Sequence, residues 1–506
     1  MLLLYERGMA CSCKKEERKK VKAYKTLLFI ISVIAVLAVA CVMFPHEGVK
    51  AGNVTLTFPS LGEVLMSTAT EKAALPEETP EELLARQLRE MRMQEEAQYL
   101  DYFRTSNIRI NLPNDDLTFF DPLFEALENA DSTRMRIVHY GDSQIEGDRI
   151  TGIIREELQD TFGGIGPGIL PLIQTVGSIN IGQSITDSVS RGLVYGPAEM
   201  RGRNSSYGVM GQVAYLDTTV SISVWPRTKE SKHCTRFTRV TVLSENTSSN
   251  LHITCKGDRR VLEPAVGQRQ TTFHFAEPVE RVSLSLSGYA NIYGILLDGD
   301  TGVCVDNIPM RGCSGTMFSN INRGLLSDFY RRENVRLIIM QYGGNSVPYL
   351  KTEKSISTYA GQMEHQIRYL QECAPDAKIM MIGPSDMSTM VKGSWQTYPM
   401  LPAVIDSLRM AANRAGAAYW DMYQVMGGHN SMAQWCSEQP PLAGSDHIHF
   451  TQRGATRVAD LFCKSIMLYY DYYLWRRGDK SSVHTENVKA IPGMQPILPN
   501  PVESIR

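Results

Sequence analysis

Hydrophobic and polar positions along the chain fall into three textures. Residues 136–140, with Ile137 and Val138 at their centre, form a short run that predicts a buried strand. Residues 148–162 carry helix-period apolar positions at Ile150, Ile153, Ile154 and Leu158. The same alternation returns after residue 302: a helix to about 330, a strand over 335–340, a helix over 358–372, a strand over 378–383, a helix over 402–415, a strand over 417–420 and a last helix over 452–475. Alternating strands and helices predict a parallel sheet covered by helices, an α/β fold. The polar loops Gly141-Asp-Ser143, Gln341-Tyr-Gly-Gly-Asn345, Pro384-Ser-Asp386 and Asp421 each follow a predicted strand, so they open on one crevice at the carboxyl edge of the sheet.

Between these two halves, over 201–302, the period changes to two. The runs 220–224, 237–242, 251–254, 271–275 and 282–286 alternate apolar with polar residues between turn signals, which predicts an inserted all-β sandwich. An insertion of this kind is expected to serve either as a carbohydrate-binding module or as a structural element. A short amphipathic helix at 121–129 leads into the first half. Residues 162–168, Phe-Gly-Gly-Ile-Gly-Pro-Gly, lack the Lys-Ser/Thr of a phosphate-cradling loop and are expected to be a tight connection.

The third texture is N-terminal. Residues 1–25 are rich in Lys and Arg, and the run from Leu27 to Phe44 contains no charged residue. That pattern predicts a transmembrane signal-anchor over 26–44, with a cleaved signal peptide as the competing reading, the basic tail inside and the rest exported to the periplasm or cell envelope. Residues 45–105 read as a stalk and a polar spacer helix, the latter opened by a capping box at Thr79-Pro-Glu-Glu82. Residues 478–506 read as a disordered tail. The full division is thus 1–25, 26–44, 45–105, 106–200, 201–302, 303–477 and 478–506.

Composition adds little. The 506 residues hold 52 basic and 54 acidic side chains, so nothing favours a nucleic-acid partner. The ten cysteines contain no CxxC pair, and no metal or cofactor is expected. Cys234 and Cys255 are placed to staple a β-hairpin.

Candidate chemistry starts at Ser143, where a predicted strand hands over to a helix and free backbone N–H groups suit a developing oxyanion. A serine needs a base, and a base needs an orienting acid. Asp446 and His449, in Gly444-Ser-Asp-His-Ile-His-Phe-Thr451, sit three apart and can share one turn of a tight loop. His447 is the rival base, but its neighbour Asp446 should face away from it. His139 reads as a core residue, and Asp386, Asp421, Glu146 and Asp148 read as capping or solvated acids.

Four blocks, Gly141-Asp-Ser143, Arg311-Gly-Cys313, Gly343-Gly-Asn345 and Asp446-His-Ile-His449, occur in this order. The set resembles the SGNH (GDSL-like) hydrolase family over roughly 130–195 and 303–470. The resemblance implies a flavodoxin-like three-layer domain and a serine esterase: Ser143 as nucleophile, His449 as base, Asp446 as its orienting acid, and the backbone N–H groups of Ser143 and Gly312 with the Asn345 amide as oxyanion hole. Gln144 and Cys313 stand where many relatives carry other residues.

The inserted β-sandwich is similar in arrangement to that of bacterial peptidoglycan O-acetylesterases, which implies O-acetylated polysaccharide as substrate and no cofactor. An N-terminal anchor resembles O-acetyltransferases that work beside a membrane-bound acetyl exporter, which implies acetyl transfer to a glycan as the alternative. A glycan-binding protein without catalysis is the third expectation.

Overall fold

The strand Met135–Gly141, buried at every residue, lies one strand in from the edge of a six-stranded sheet. The computed structural model describes residues 23–45, 48–51, 54–60, 62–64, 79–203, 206–228 and 231–479. It divides into two units, residues 1–92 and 93–506. The site lies in the second.

Across the sheet the order is Val303–Pro309, Met135–Gly141, Val335–Gln341, Lys378–Ile382 and Ala418–Trp420, all parallel, with the two-residue strand Ile110–Asn111 added antiparallel at the far edge. Successive side chains of a strand point to opposite faces, and here they divide between two cores. Val138, Tyr140, Ile338, Met340 and Ile379 join one core with Leu326, Ile367 and Leu408 from helices Arg323–Arg332, Glu353–Cys373 and Leu401–Arg414. Ile137, Ile339, Met380 and Ile382 join the other with Leu123, Ile154 and Val458 from helices Asp121–Glu128, Thr151–Phe162 and Gln452–Arg477. The domain therefore has three layers, helices on both faces of a mostly parallel sheet.

Register sets up the site. Gly141 pairs with Pro309 on one side and with Gln341 on the other, so three neighbouring strands end level. Ser143, Gly312 and Asn345 each follow within a few residues of those ends. Beneath them, Arg136 is fully buried and bridges Asp298, Asp306 and Glu333, which ties the serine strand to the exit of the insertion and to the adjacent strand. Burying one guanidinium among three carboxylates is tolerable because each charge has a partner at hydrogen-bonding distance.

The insertion is built of two antiparallel sheets. It draws in chain earlier than the expected start at 201: Gly168–Leu170 pairs with Ala290–Asp298, Ile181–Ile185 pairs with Thr219–Pro226, and Ser190–Leu193 pairs with Gln212–Leu216. These strands are short and interrupted by Gly182 and Gly192, so their alternation does not stand out in the sequence. The glycine-rich connection before them is tight. At Gly164, φ is +117° and an added Cβ would come within 2.5 Å of the Val303 carbonyl oxygen. Cys234 and Cys255 are buried but free, which corrects the expected staple.

In the first unit, Ala23–Met43 is a 21-residue helix, and Val49–Ala51 pairs antiparallel with Val54–Leu56. No helix, among the described residues, is long and apolar enough to cross a membrane. The transmembrane segment expected over 26–44 is thus not found as a membrane span among the described residues; its residues 26–43 lie in this helix. Thr79 and Glu82 form the expected capping box, Thr79 N–H donating to Glu82 at 2.9 Å and Glu82 N–H to Thr79 Oγ1 at 3.2 Å. In the second unit, Tyr99 and Phe103 pack on Tyr469, Tyr472 and Trp475 of the last helix. Residues 1–22 and 480–506, which hold most of the basic tail and nearly all of the expected disordered tail, lie outside the described residues.

Candidate active site

Ser143 opens a 3₁₀ turn, Ser143–Asp148, rather than the α-helix itself, which starts at Thr151. Glu146 has extended φ/ψ and Gly147 a φ of +71°, so the chain cannot continue as one helix through the turn. Asp142 caps the turn by accepting from Gln144 N–H at 3.0 Å. The Ser143 N–H remains free of any protein carbonyl among the described residues, as does that of Gly312.

The His449 loop comes from 306 residues away, and Ser143 Oγ lies 2.8 Å from His449 Nε2. His449 Nδ1 is 2.7 Å from Asp446 Oδ2. The other carboxylate oxygen of Asp446 accepts from the Ile448 and His449 N–H groups at 3.1 and 3.0 Å. Partial burial works against the charge on Asp446, but the hydrogen bonds from His449 and from these amides hold its carboxyl below the usual range. A carboxylate fixed in this way sets which ring nitrogen carries the proton, leaving Nε2 to accept from the serine.

Gly312 has a φ of +74° and no atom within 4 Å of where a Cβ would stand, so the turn is set by backbone conformation and not by crowding. Asn345 Nδ2 donates to Asp142 Oδ2 at 3.0 Å and to the Cys313 carbonyl at 3.2 Å. The amide thus stands between the serine block and the glycine block, with both of its protons engaged. Asp142 is fully buried, and that burial pushes its carboxyl up to about 6, against the lowering influence of the Gln144 and Asn345 hydrogen bonds.

The remaining expected residues lie elsewhere. His447 stacks on Trp395 with ring centroids 4.0 Å apart, and its φ of 56° turns it from the triad. His139 is a core residue, bridging Gln341 Oε1 at 3.1 Å and Thr151 Oγ1 at 3.0 Å; burial lowers its pKa to about 4, so it is neutral. Asp386 accepts from Thr397 Oγ1 and Met432 N–H, and Asp421 caps helix Met422–Met426. Glu146 takes a bidentate contact from Arg311. Asp148 is buried in a pair with Arg155, not solvated as its loop position suggested.

Two residues of the site escaped sequence reasoning. Gln144 donates through Nε2 to the Ile448 carbonyl at 2.7 Å and accepts at Oε1 from Phe450 N–H at 3.3 Å. Arg149 donates to the Phe450 carbonyl at 2.6 Å and to the Ser143 carbonyl at 3.3 Å. Together they clamp the histidine loop onto the serine turn. The only available signal was that Gln144 departs from the residue common in relatives, and that its amide offers both a donor and an acceptor to a backbone.

No known protein family's sequence profile matches the chain, and no curated protein matches it in sequence. Among solved structures it is similar to a peptidoglycan O-acetylesterase, with a TM-score of 0.58 at 17% identity, covering 72% of this chain and 100% of that one. A family two carbohydrate esterase from Cellvibrio japonicus matches with a TM-score of 0.23 at 10% identity over 58% of this chain and 99% of that one, a superposition too poor to bear on the fold. In fold, therefore, the chain is similar to a peptidoglycan O-acetylesterase.

Proposed function

We propose that this protein is a serine esterase that hydrolyses O-acetyl esters on an envelope polysaccharide, peptidoglycan first among them. The observation that carries the reading is the 2.8 Å contact between Ser143 Oγ and His449 Nε2, backed by the 2.7 Å contact from His449 Nδ1 to Asp446. The similarity in fold to a peptidoglycan O-acetylesterase supports the choice of substrate.

In this reading His449 Nε2 takes the Ser143 proton as Oγ adds to the acetyl carbonyl carbon, and the carbonyl oxygen becomes an oxyanion. The free N–H groups of Ser143 and Gly312 stand ready to donate to it. Asn345 joins them by exchanging its 3.2 Å bond to the Cys313 carbonyl for one to the oxyanion, while its bond to Asp142 keeps the amide in place. Collapse of the intermediate breaks the bond to the sugar oxygen, which takes the proton from His449. The acetyl group is left on Ser143. Water, deprotonated by His449, then adds to the acyl carbon, and acetate leaves with the proton returned to Ser143. Donors already aimed at the oxyanion make this route faster than reaction in water, each typically contributing on the order of 10²–10³ in rate.

Such a substrate lies outside the cytoplasm, so the catalytic unit belongs to the cell envelope in this reading; fractionation with a compartment-specific reporter fusion tests the location. Activity is tested by acetate release from O-acetylated peptidoglycan and from acetylated xylan, with Ser143→Ala as control. Ser143-dependent acetate supports the esterase. Release that survives in Ser143→Ala, or none from either polymer, overturns it.

A further inference from the structure

Next to the serine turn lies a cavity of about 380 Å³, of monosaccharide size. Its walls come from three places. The Glu146–Asp148 end of the serine turn forms one, Pro309 and Arg311 before the oxyanion glycine form another, and the first strands of the β-insertion, with Arg191, Leu193 and Tyr195, form the third. The cavity thus touches the far end of the serine turn and the segment just before Gly312, and borrows its outer wall from the insertion.

The charges on these walls do not cancel. Arg155 is paired with Asp148 at 2.7 and 3.0 Å, and Arg311 with Glu146 at 2.8 and 3.0 Å. Among the described residues, Arg191 has no ion pair, although it is only partly exposed. The Tyr195 hydroxyl is likewise without a hydrogen bond there, and burial pushes the phenol up to about 12, so it keeps its proton and remains a donor. A guanidinium drawn partly out of water is stabilised by an acid beside it. The cavity is short of one negative charge.

We propose that this cavity is a specificity subsite that binds a carboxylate carried by the substrate glycan beside its acetyl ester, with Arg191 as the cation and Tyr195 as a second donor. The proposal rests on the acetylesterase reading and names what distinguishes its preferred glycan. A single carboxylate fits better than a phosphate, because one cation is uncompensated and the carboxylates of Glu146 and Asp148 stand on the same walls. A neutral sugar would leave Arg191 unanswered. Planar guanidinium groups are suited to such a partner, since they meet a carboxylate with two parallel N–H donors.

Two glycan carboxylates have this chemistry: the lactyl group of muramic acid and the ring carboxylate of a uronic acid. The test uses turnover of 4-nitrophenyl acetate by the purified protein, with N-acetylmuramic acid, its methyl ester, glucuronic acid and N-acetylglucosamine as inhibitors. Wild type is expected to show at least about tenfold tighter inhibition by a carboxylate sugar than by its neutral counterpart, a difference of the size of one charge-assisted contact. Arg191→Gln is expected to bring the charged and neutral sugars to within about twofold of each other, with folding checked by thermal melting.

Tighter inhibition by N-acetylmuramic acid assigns the lactyl carboxylate, and tighter inhibition by glucuronic acid the uronate. Equal inhibition by charged and neutral sugars in wild type overturns the proposal, as does a preference that survives Arg191→Gln. The comparison of N-acetylmuramic acid with its methyl ester needs only wild type, so a variant that fails to fold does not block the test. Failure of the esterase reading shows separately, as absence of Ser143-dependent acetate from acetylated glycans.

Discussion

Gln144 Nε2 donates to the carbonyl of Ile448 at 2.7 Å, joining the residue after Ser143 to the residue before His449. The two loops are more than 300 positions apart in the chain, and the 2.8 Å serine–histidine contact depends on holding them in register. Gln144→Ala removes both halves of this clamp and leaves the Phe450 N–H and the Ile448 carbonyl to seek water. The expected result is a fall in kcat on the order of 10–100-fold with a smaller change in KM, because misplacement by about 1 Å costs that much in a reaction that relies on positioning. Steady-state kinetics on a chromogenic acetate read it. An unchanged kcat would show that Arg149 alone suffices.

The triad geometry predicts unequal histidines. His449→Ala and Ser143→Ala should each remove turnover, and Asp446→Asn should lower kcat by up to about 10⁴-fold, the loss typical when the orienting acid no longer selects the tautomer. His447→Ala should keep most of the activity, since its ring is stacked on Trp395 and away from the serine. If His447→Ala is the inactive one, the assignment of His449 as base is wrong.

At Gly312 the expected cost is conformational. With φ at +74° and open space around the position, Gly312→Ala should destabilise by about 1–2 kcal/mol through the left-handed backbone and not through a clash. Relaxation of that backbone also turns the N–H from the oxyanion, so kcat should fall beyond what the loss of stability explains. Denaturant melts and kinetics on the same preparation separate the two effects.

Asp142 predicts a pH signature. Its carboxyl titrates near 6 in the folded protein, against about 3.8 unperturbed, chiefly because it is buried. Between these values the folded state holds a proton that the unfolded chain has released. The stability this proton confers is full below about pH 3.8 and is lost as pH rises through 6. Two units correspond to about 3 kcal/mol. Asp142→Asn, which cannot ionise, should therefore gain stability relative to wild type as pH goes from 4 to 7, by up to about that amount. Urea midpoints across the pH range check it, and parallel curves for the two proteins would refute the ionisation.

Much of the site was legible in the chain. The strand at 136–140, the serine after it and the Asp446/His449 spacing are local patterns, and local patterns survive folding because strand period, loop position and side-chain chemistry are properties of neighbouring residues. The parallel α/β domain followed from the same alternation. Less was legible where partners are distant: Asp148 reads as a solvated loop acid, and only the fold brings Arg155 over it.

The sequence by itself determined the elements, their order and the residue types able to carry acyl transfer: Ser143, His449, Asp446, Gly312 and Asn345. The tertiary structure alone decided that the strands ending at Gly141, Pro309 and Gln341 finish level, that Gln144 and Arg149 bind the two catalytic loops together, and that a cavity with an uncompensated Arg191 opens beside them. The physical reason is register: which residues stand opposite one another across a sheet depends on packing summed over whole strands, and no window of local sequence contains that sum.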